Sequence, residues 1–85
     1  KRPEMAVKDF DKAISLKPGD PSFFVNRANA NNDLGKIKEA GADYDRAVQL
    51  APTSGFAHAQ RASFHHRGGR IDEALRDYGK AIELE

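Results

Sequence analysis

Residues 40–52 read AGADYDRAVQLAP, residues 6–18 read AVKDFDKAISLKP, and residues 74–85 return to the plan as ALRDYGKAIELE. The three stretches superpose at a step of 34. Ala6, Ala40 and Ala74 align, as do Asp9, Asp43 and Asp77, then Phe10, Tyr44 and Tyr78, then Ala13, Ala47 and Ala81, then Leu16, Leu50 and Leu84. So many columns at one offset define an internal repeat, and a period of roughly 20 to 50 residues is the signature of stacked-repeat architectures.

Inside one period there are two helical patterns. Ile37, Ala40, Tyr44, Ala47, Val48 and Ala51 follow the three-and-four spacing of a single apolar helix face, and Pro52 ends it. Ahead of it, Asp20 followed by Pro21 is a strong helix start, an N-cap with proline at the first helical position. That helix is expected over about residues 21–34, stopping at Gly35, a good left-handed residue just past a helix end. The plan recurs with Thr53 or Ser54 as cap, a helix over about residues 55–67, the pair Gly68 and Gly69, and a last helix over about residues 71–84. A lone helix of the second kind, Pro3 to Leu16, precedes them.

The spacing thus predicts an all-α chain of five helices in antiparallel pairs, an α-solenoid in which each pair buries its apolar face only by stacking on the next. Residues 1–20 are read as a second helix, 21–54 as one complete unit and 55–85 as one nearly complete unit. Ala28, Ala40, Ala47, Ala62, Ala74 and Ala81 mark places where helix axes come close, with Phe10, Tyr44 and Tyr78 filling the gaps between pairs.

Composition agrees and narrows the function. The chain has 85 residues with 39% hydrophobic content, 13 of those residues being alanine, so its core is thin and marginal stability or self-association is expected. It has no cysteine for cross-links. A formal net charge of +1 gives no general attraction to nucleic acid or to an anionic membrane. No apolar run approaches a membrane span and no signal-peptide core is present, which leaves the compartment unread and cytoplasmic only by default. No G-x-S-x-G, H-E-x-x-H, phosphate-loop or dinucleotide fingerprint occurs, so no enzyme activity and no cofactor is expected. His58 and His65 stand two helical turns apart and His66 points elsewhere, a spacing that does not suit one metal ion.

Period, helix plan and residues together resemble the tetratricopeptide repeat (TPR), whose 34-residue pattern is W-x2-L-G-x2-Y, then A-x3-F, then P. Its second-helix half is matched three times by the stretches quoted above. In the first-helix half the tryptophan place holds Phe24 and His58, the leucine place Arg27 and Arg61, the glycine place Ala28 and Ala62, and the tyrosine place Asn31 and His65. The resemblance covers essentially the whole chain and implies a right-handed superhelix whose first helices line a concave, peptide-binding groove. By position it places Asn26, Asn29 and Asp33, with Val25, in that groove from the complete unit. From the last unit it places Phe56, Gln60, Ser63 and Arg67 there. Asn26 and Gln60 occupy the place where some peptide-binding members carry an asparagine ladder; a carboxamide offers donor and acceptor at once to an extended backbone. The clamp that takes chaperone C-terminal carboxylates fits poorly, since Phe56 and Gln60 stand where it has lysine and arginine. The implied role is non-catalytic protein binding. The alternative is self-association, with the exposed faces of Pro3–Leu16 and Ile71–Leu84 stacking between chains.

Arg27 and Arg61 fall on a packing face, where two arrangements are open: pairing with one of Asp9, Asp43 or Asp77 on a neighbouring helix, or snorkelling into water. No acidic residue lies between Asp45 and Asp72, while Arg46, Arg61, Arg67, Arg70 and three histidines do. This basic stretch either attracts an acidic peptide, more so when the histidines are protonated, or is balanced by acids on neighbouring helices.

Overall fold

Helices α1 (Pro3–Leu16) and α2 (Pro21–Asp33) each begin on a proline, whose fixed φ suits the first turn and whose missing N–H removes one unpaired donor. The structure, a computed structural model, describes residues 2–85 and continues with α3 (Ile37–Leu50), α4 (Gly55–Arg67) and α5 (Ile71–Glu83). Asp20 caps α2 by accepting from the Ser22 amide at 3.0 Å, and Ser54 rather than Thr53 caps α4 by accepting from the Ala57 amide at 3.1 Å. No strand occurs among the described residues.

Both first helices end in the same left-handed turn. Gly35 and Gly69 have φ of 78° and 79°, a region open to glycine without steric penalty. The following amides close back over the turn, Lys36 to the Asn31 carbonyl at 2.8 Å and Arg70 to the His65 carbonyl at 2.9 Å. These bonds satisfy carbonyls that a helix end otherwise leaves unpaired.

Each helix packs on the next along the chain, and α2 also touches α4. The second contact is what makes a stack of pairs instead of a string of hairpins. The repeated alanines Ala28, Ala40, Ala47, Ala62, Ala74 and Ala81 are all buried, so the helices approach closely along their whole length. Phe24, Val25, Tyr44 and Phe64 fill the spaces that remain, with Ile14 and Leu50 packed against them.

The repeated aromatic column behaves unevenly. Tyr44 is fully buried and its ring lies 5.0 Å from that of Phe64, joining α3 to α4. Phe10 is half-buried and Tyr78 is 37% exposed, so the expected filling of gaps by all three is complete only at the middle one. The reason is positional: Tyr44 sits on α3, which packs against both α2 and α4, whereas α1 and α5 each pack against one helix.

Candidate functional site

The most ordered polar feature is a ladder of ion pairs repeated at the period of the sequence. Arg27 of α2 donates from Nε to Asp43 Oδ2 at 2.9 Å and from Nη2 to Asp43 Oδ1 at 2.8 Å, a two-pronged bond to α3. Its Nη1 donates to Asp11 of α1 at 2.8 Å. Thirty-four residues on, Arg61 of α4 donates to Asp77 of α5 at 2.7 and 2.9 Å and to Asp45 of α3 at 3.2 Å. Each arginine therefore fastens its own pair and hooks the preceding one. Its planar fork matches a carboxylate in a way that lysine's point charge cannot.

Pairing thus prevails over snorkelling for both arginines. The partners are Asp43 and Asp77, two of the three repeated aspartates, while Asp9 is exposed on α1. The second carboxylates, Asp11 and Asp45, went unread in the sequence although they too stand 34 apart; their column breaks at Gly79. Around Asp43 the ladder is finished by Asn31, whose Nδ2 donates to Oδ2 at 3.4 Å. Around Asp77 it is finished by His58, whose Nδ1 lies 3.3 Å from Oδ1 and whose Nε2 lies 2.9 Å from the Pro52 carbonyl.

This disposes of much of the basic stretch. Arg61 is neutralised between Asp45 and Asp77, and His58 is buried beside the same carboxylate. His65 Nδ1 accepts from Arg70 Nε at 2.9 Å. Of the three histidines only His66 stands exposed. A protonation-driven attraction through all three is therefore not what the fold presents.

Asp77 gives the ladder a pH signature. Burial is the largest influence on its carboxyl and pushes the pKa up, but hydrogen bonds from Arg61 and His58, with their charges, outweigh it and leave the pKa below the ordinary aspartate value. A pKa lowered by folding contributes stability that is present above the unfolded value of about 3.9 and lost as pH falls through the folded one. Urea midpoints measured from pH 6 down to pH 2 are expected to fall more steeply for the native protein than for Asp77→Asn. Parallel profiles would show that Asp77 does not carry this linkage.

The outward faces of α2 and α4 form the second feature. Asn26, Asp33 and Arg67 are exposed, Phe56 is 59% exposed, and Asn29, Gln60 and Ser63 are half-buried. Asn26, Asn29 and Asp33 line a cavity of about 240 Å³ with Pro3, Ala6 and Phe10 of α1. Arg67 lines a separate cavity of about 280 Å³, whereas Phe56, Gln60 and Ser63 line neither. Val25, expected on this face, instead lies in the core, because α1, α3 and α4 together cover three sides of α2.

Tyr44 links core and face. Its hydroxyl donates to Asn29 Oδ1 and lies against the Arg67 guanidinium. Burial raises the phenol pKa, with Arg67 pulling the other way and Asp33 adding slightly to the rise. Asn29 is thus held by the core and Arg67 rests against it, while Asn26, Asp33, Gln60 and Ser63 make no side-chain hydrogen bond among the described residues.

A tetratricopeptide repeat family model matches residues 21–54 and again residues 57–85, well over half of the chain. The chain belongs to the tetratricopeptide repeat family. Solved structures agree with this assignment. The second TPR of Spaghetti (RPAP3), solved bound to the HSP90 peptide SRMEEVD, is 26% identical with a TM-score of 0.84 over 98% of this chain. The first TPR domain of the human RPAP3 protein is 29% identical with a TM-score of 0.88 over 98% of this chain, and MamA MSR-1 C2 is 28% identical with a TM-score of 0.83 over 96%. This TPR chain spans 77%, 65% and 47% of those three chains, respectively. No curated protein sequence matches it.

Within the TPR frame, the polar residues at family aromatic and aliphatic places form one system. His58 at the tryptophan place, Arg61 at the leucine place and His65 at the tyrosine place all reach toward Asp77, His65 with Nε2 at 3.9 Å from Oδ2. A hydrogen-bonded seam thus stands where the family packs apolar side chains.

Proposed function

We propose that this TPR segment is a non-catalytic module that holds a peptide segment of a partner protein across the outward faces of α2 and α4. The observation that carries the reading is the division of labour among polar residues. Arg27, Arg61, Asn31 and His58 are used inside the ladder, whereas Asn26, Asp33, Phe56, Gln60 and Ser63 remain uncommitted along two adjoining helices. Carboxamides at Asn26 and Gln60, with an apolar ring at Phe56, suit an extended backbone with one anchoring side chain. The second TPR of Spaghetti (RPAP3), of like fold, was solved with a peptide bound, which supports the class of ligand.

The test is selection of dodecapeptides from a random display library on the immobilised protein, followed by calorimetry with a selected peptide. Asn26→Ala/Phe56→Ala/Gln60→Ala is expected to weaken binding at least about tenfold, since central aromatic anchors dominate such interfaces. Unchanged affinity in a folded variant would overturn the groove reading.

A second reading rests on α5. Leu75, Tyr78 and Ile82 form an exposed apolar stripe, and their counterparts in α3 are Gly41, Tyr44 and Val48. There, Tyr44 packs on α4, so the α5 stripe presents a similar surface for stacking between chains. A monomer by sedimentation velocity at micromolar concentration would remove this alternative.

A further inference from the structure

The crevice between the α2–α3 turn and the end of α4 holds about 280 Å³ and is lined by Asn32, Ile37, Phe64, Arg67, Gly68 and Arg70. It contains two arginines, and neither forms an ion pair among the described residues. Arg70 is held in place without being neutralised. Its Nε donates to His65 Nδ1 at 2.9 Å, Nη2 reaches the Phe64 carbonyl at 3.5 Å, and the guanidinium stands 4.9 Å over the Phe64 ring. Nη1 makes no hydrogen bond among the described residues.

Gly68 is what lets the guanidinium fold over. A Cβ there would lie 2.5 Å from Nη1 and Nη2 of Arg70, although the Gly68 backbone itself, at φ −86°, would accept any residue. The preceding unit lacks all of these parts. It has Leu34 for Gly68, Lys36 for Arg70, Ala30 for Phe64 and Asp33 for Arg67. Its corresponding crevice, between α1 and α2, is lined by Arg2, Ala30 and Asp33 among others, so it carries one base and one acid where this one carries two arginines. Four coordinated differences between two copies of one scaffold thus set this crevice apart from the other.

We propose that the Arg67–Arg70 crevice is a carboxylate-binding subsite at the edge of the peptide face, taking an acidic side chain or a C-terminal carboxylate of a bound peptide. This rests on the peptide-binding reading and adds the charge of the ligand to it. A carboxylate placed there accepts an N–H from the open Nη1 of Arg70 and meets a second cation in Arg67, with the Phe64 ring as its apolar wall. The nearby acidic group is Asp33, exposed and in no ion pair with Arg67; it disfavours a ligand whose negative charge continues toward α2. The Arg27 and Arg61 ladder is closed by its own aspartates and offers no competing site.

The experiment uses the whole chain, labelled with nitrogen-15, and three capped alanine tetrapeptides. One carries a single glutamate, one a free C-terminal carboxylate, and one a single glutamine with both ends blocked. Both carboxylate peptides are expected to move the Gly68 and Gly69 amides and the Arg70 Nε–H resonance, the stronger binder identifying the carboxylate source, while the glutamine peptide leaves them in place. Arg67→Gln and Arg70→Gln should each weaken the response about tenfold, as expected for a lost charge-assisted hydrogen bond. Gly68→Ala, which keeps both charges but displaces the guanidinium, should weaken it about fivefold. Equal shifts with the glutamine peptide, or no effect of Arg67→Gln, whose exposed side chain is not needed for folding, would overturn the subsite. If the selected dodecapeptide still depends on Asn26 and Phe56 while the carboxylate peptides do nothing, the subsite alone falls. If Asn26 and Phe56 do not matter while the tetrapeptides bind, the groove reading falls and the anion site stands.

Discussion

Replacing Asp43 with alanine is expected to remove about 3 kcal/mol of folding stability, because it leaves the Arg27 guanidinium largely enclosed and without its principal carboxylate. For a chain of this length total stability is about 4 to 13 kcal/mol, so the loss is a large fraction of what exists. Burial decides which partner matters. The Asp43 side chain is 8% exposed and doubly bonded, whereas that of Asp11 is 54% exposed and singly bonded. Asp11→Ala should therefore change stability by less than about 1 kcal/mol, the range of surface pairs. Arg27→Leu alone strands the Asp43 carboxylate with only the long bond from Asn31. The double replacement Arg27→Leu/Asp43→Leu restores an apolar contact and should recover most of the loss. Urea unfolding of the native protein, Arg27→Leu, Asp43→Leu and the double variant at neutral pH gives the coupling, expected to exceed about 1.5 kcal/mol. Additive effects would show that the two charges do not act as a pair.

The ladder also shows where sequence reasoning stops. Helix boundaries were readable because their causes are local: Asp20 with Pro21, Ser54, Gly35 and Gly69 act on backbone groups a few residues away. Pairing of Arg27 with one of the repeated aspartates was readable as one of two options because these residues recur at the period, but which aspartate it takes was not. Val25 was misplaced, since whether that side of α2 meets water depends on α4, more than 30 residues away in sequence. Arg70 was counted only as part of a basic stretch. Its orientation depends on a missing Cβ at Gly68 and a ring at Phe64, a three-residue arrangement that no spacing announces. The signal in the sequence was negative: Gly68 and Arg70 depart together from Leu34 and Lys36 in the preceding unit. Within a repeat, agreement between copies reports the scaffold, and coordinated departure reports what one copy does alone.

Tyr44→Ala is expected to cost about 4 kcal/mol, the upper range for removing a buried aromatic ring, and in a core made mostly of alanine little can collapse into the space. Tyr44 and Val25 are the largest side chains fully enclosed, and Tyr44 joins the two units through its contact with Phe64. Loss of the ring should therefore uncouple α4 and α5 from α1 to α3, broadening the urea transition as well as shifting it. A sharp single transition with an unchanged slope would instead mean that the units remain coupled through the alanine contacts alone. Tyr44→Phe separates packing from polarity. It keeps the ring but removes the hydroxyl that fixes Asn29 and touches Arg67, so stability should fall by only about 1 kcal/mol. The face is where that substitution should register more strongly: Asn29 is freed to turn, and Arg67 loses its anchor beside the proposed carboxylate subsite. A selected peptide is then expected to bind Tyr44→Phe about threefold more weakly, through ordering that the hydroxyl had already provided. Unchanged affinity would mean that the tyrosine serves the core alone.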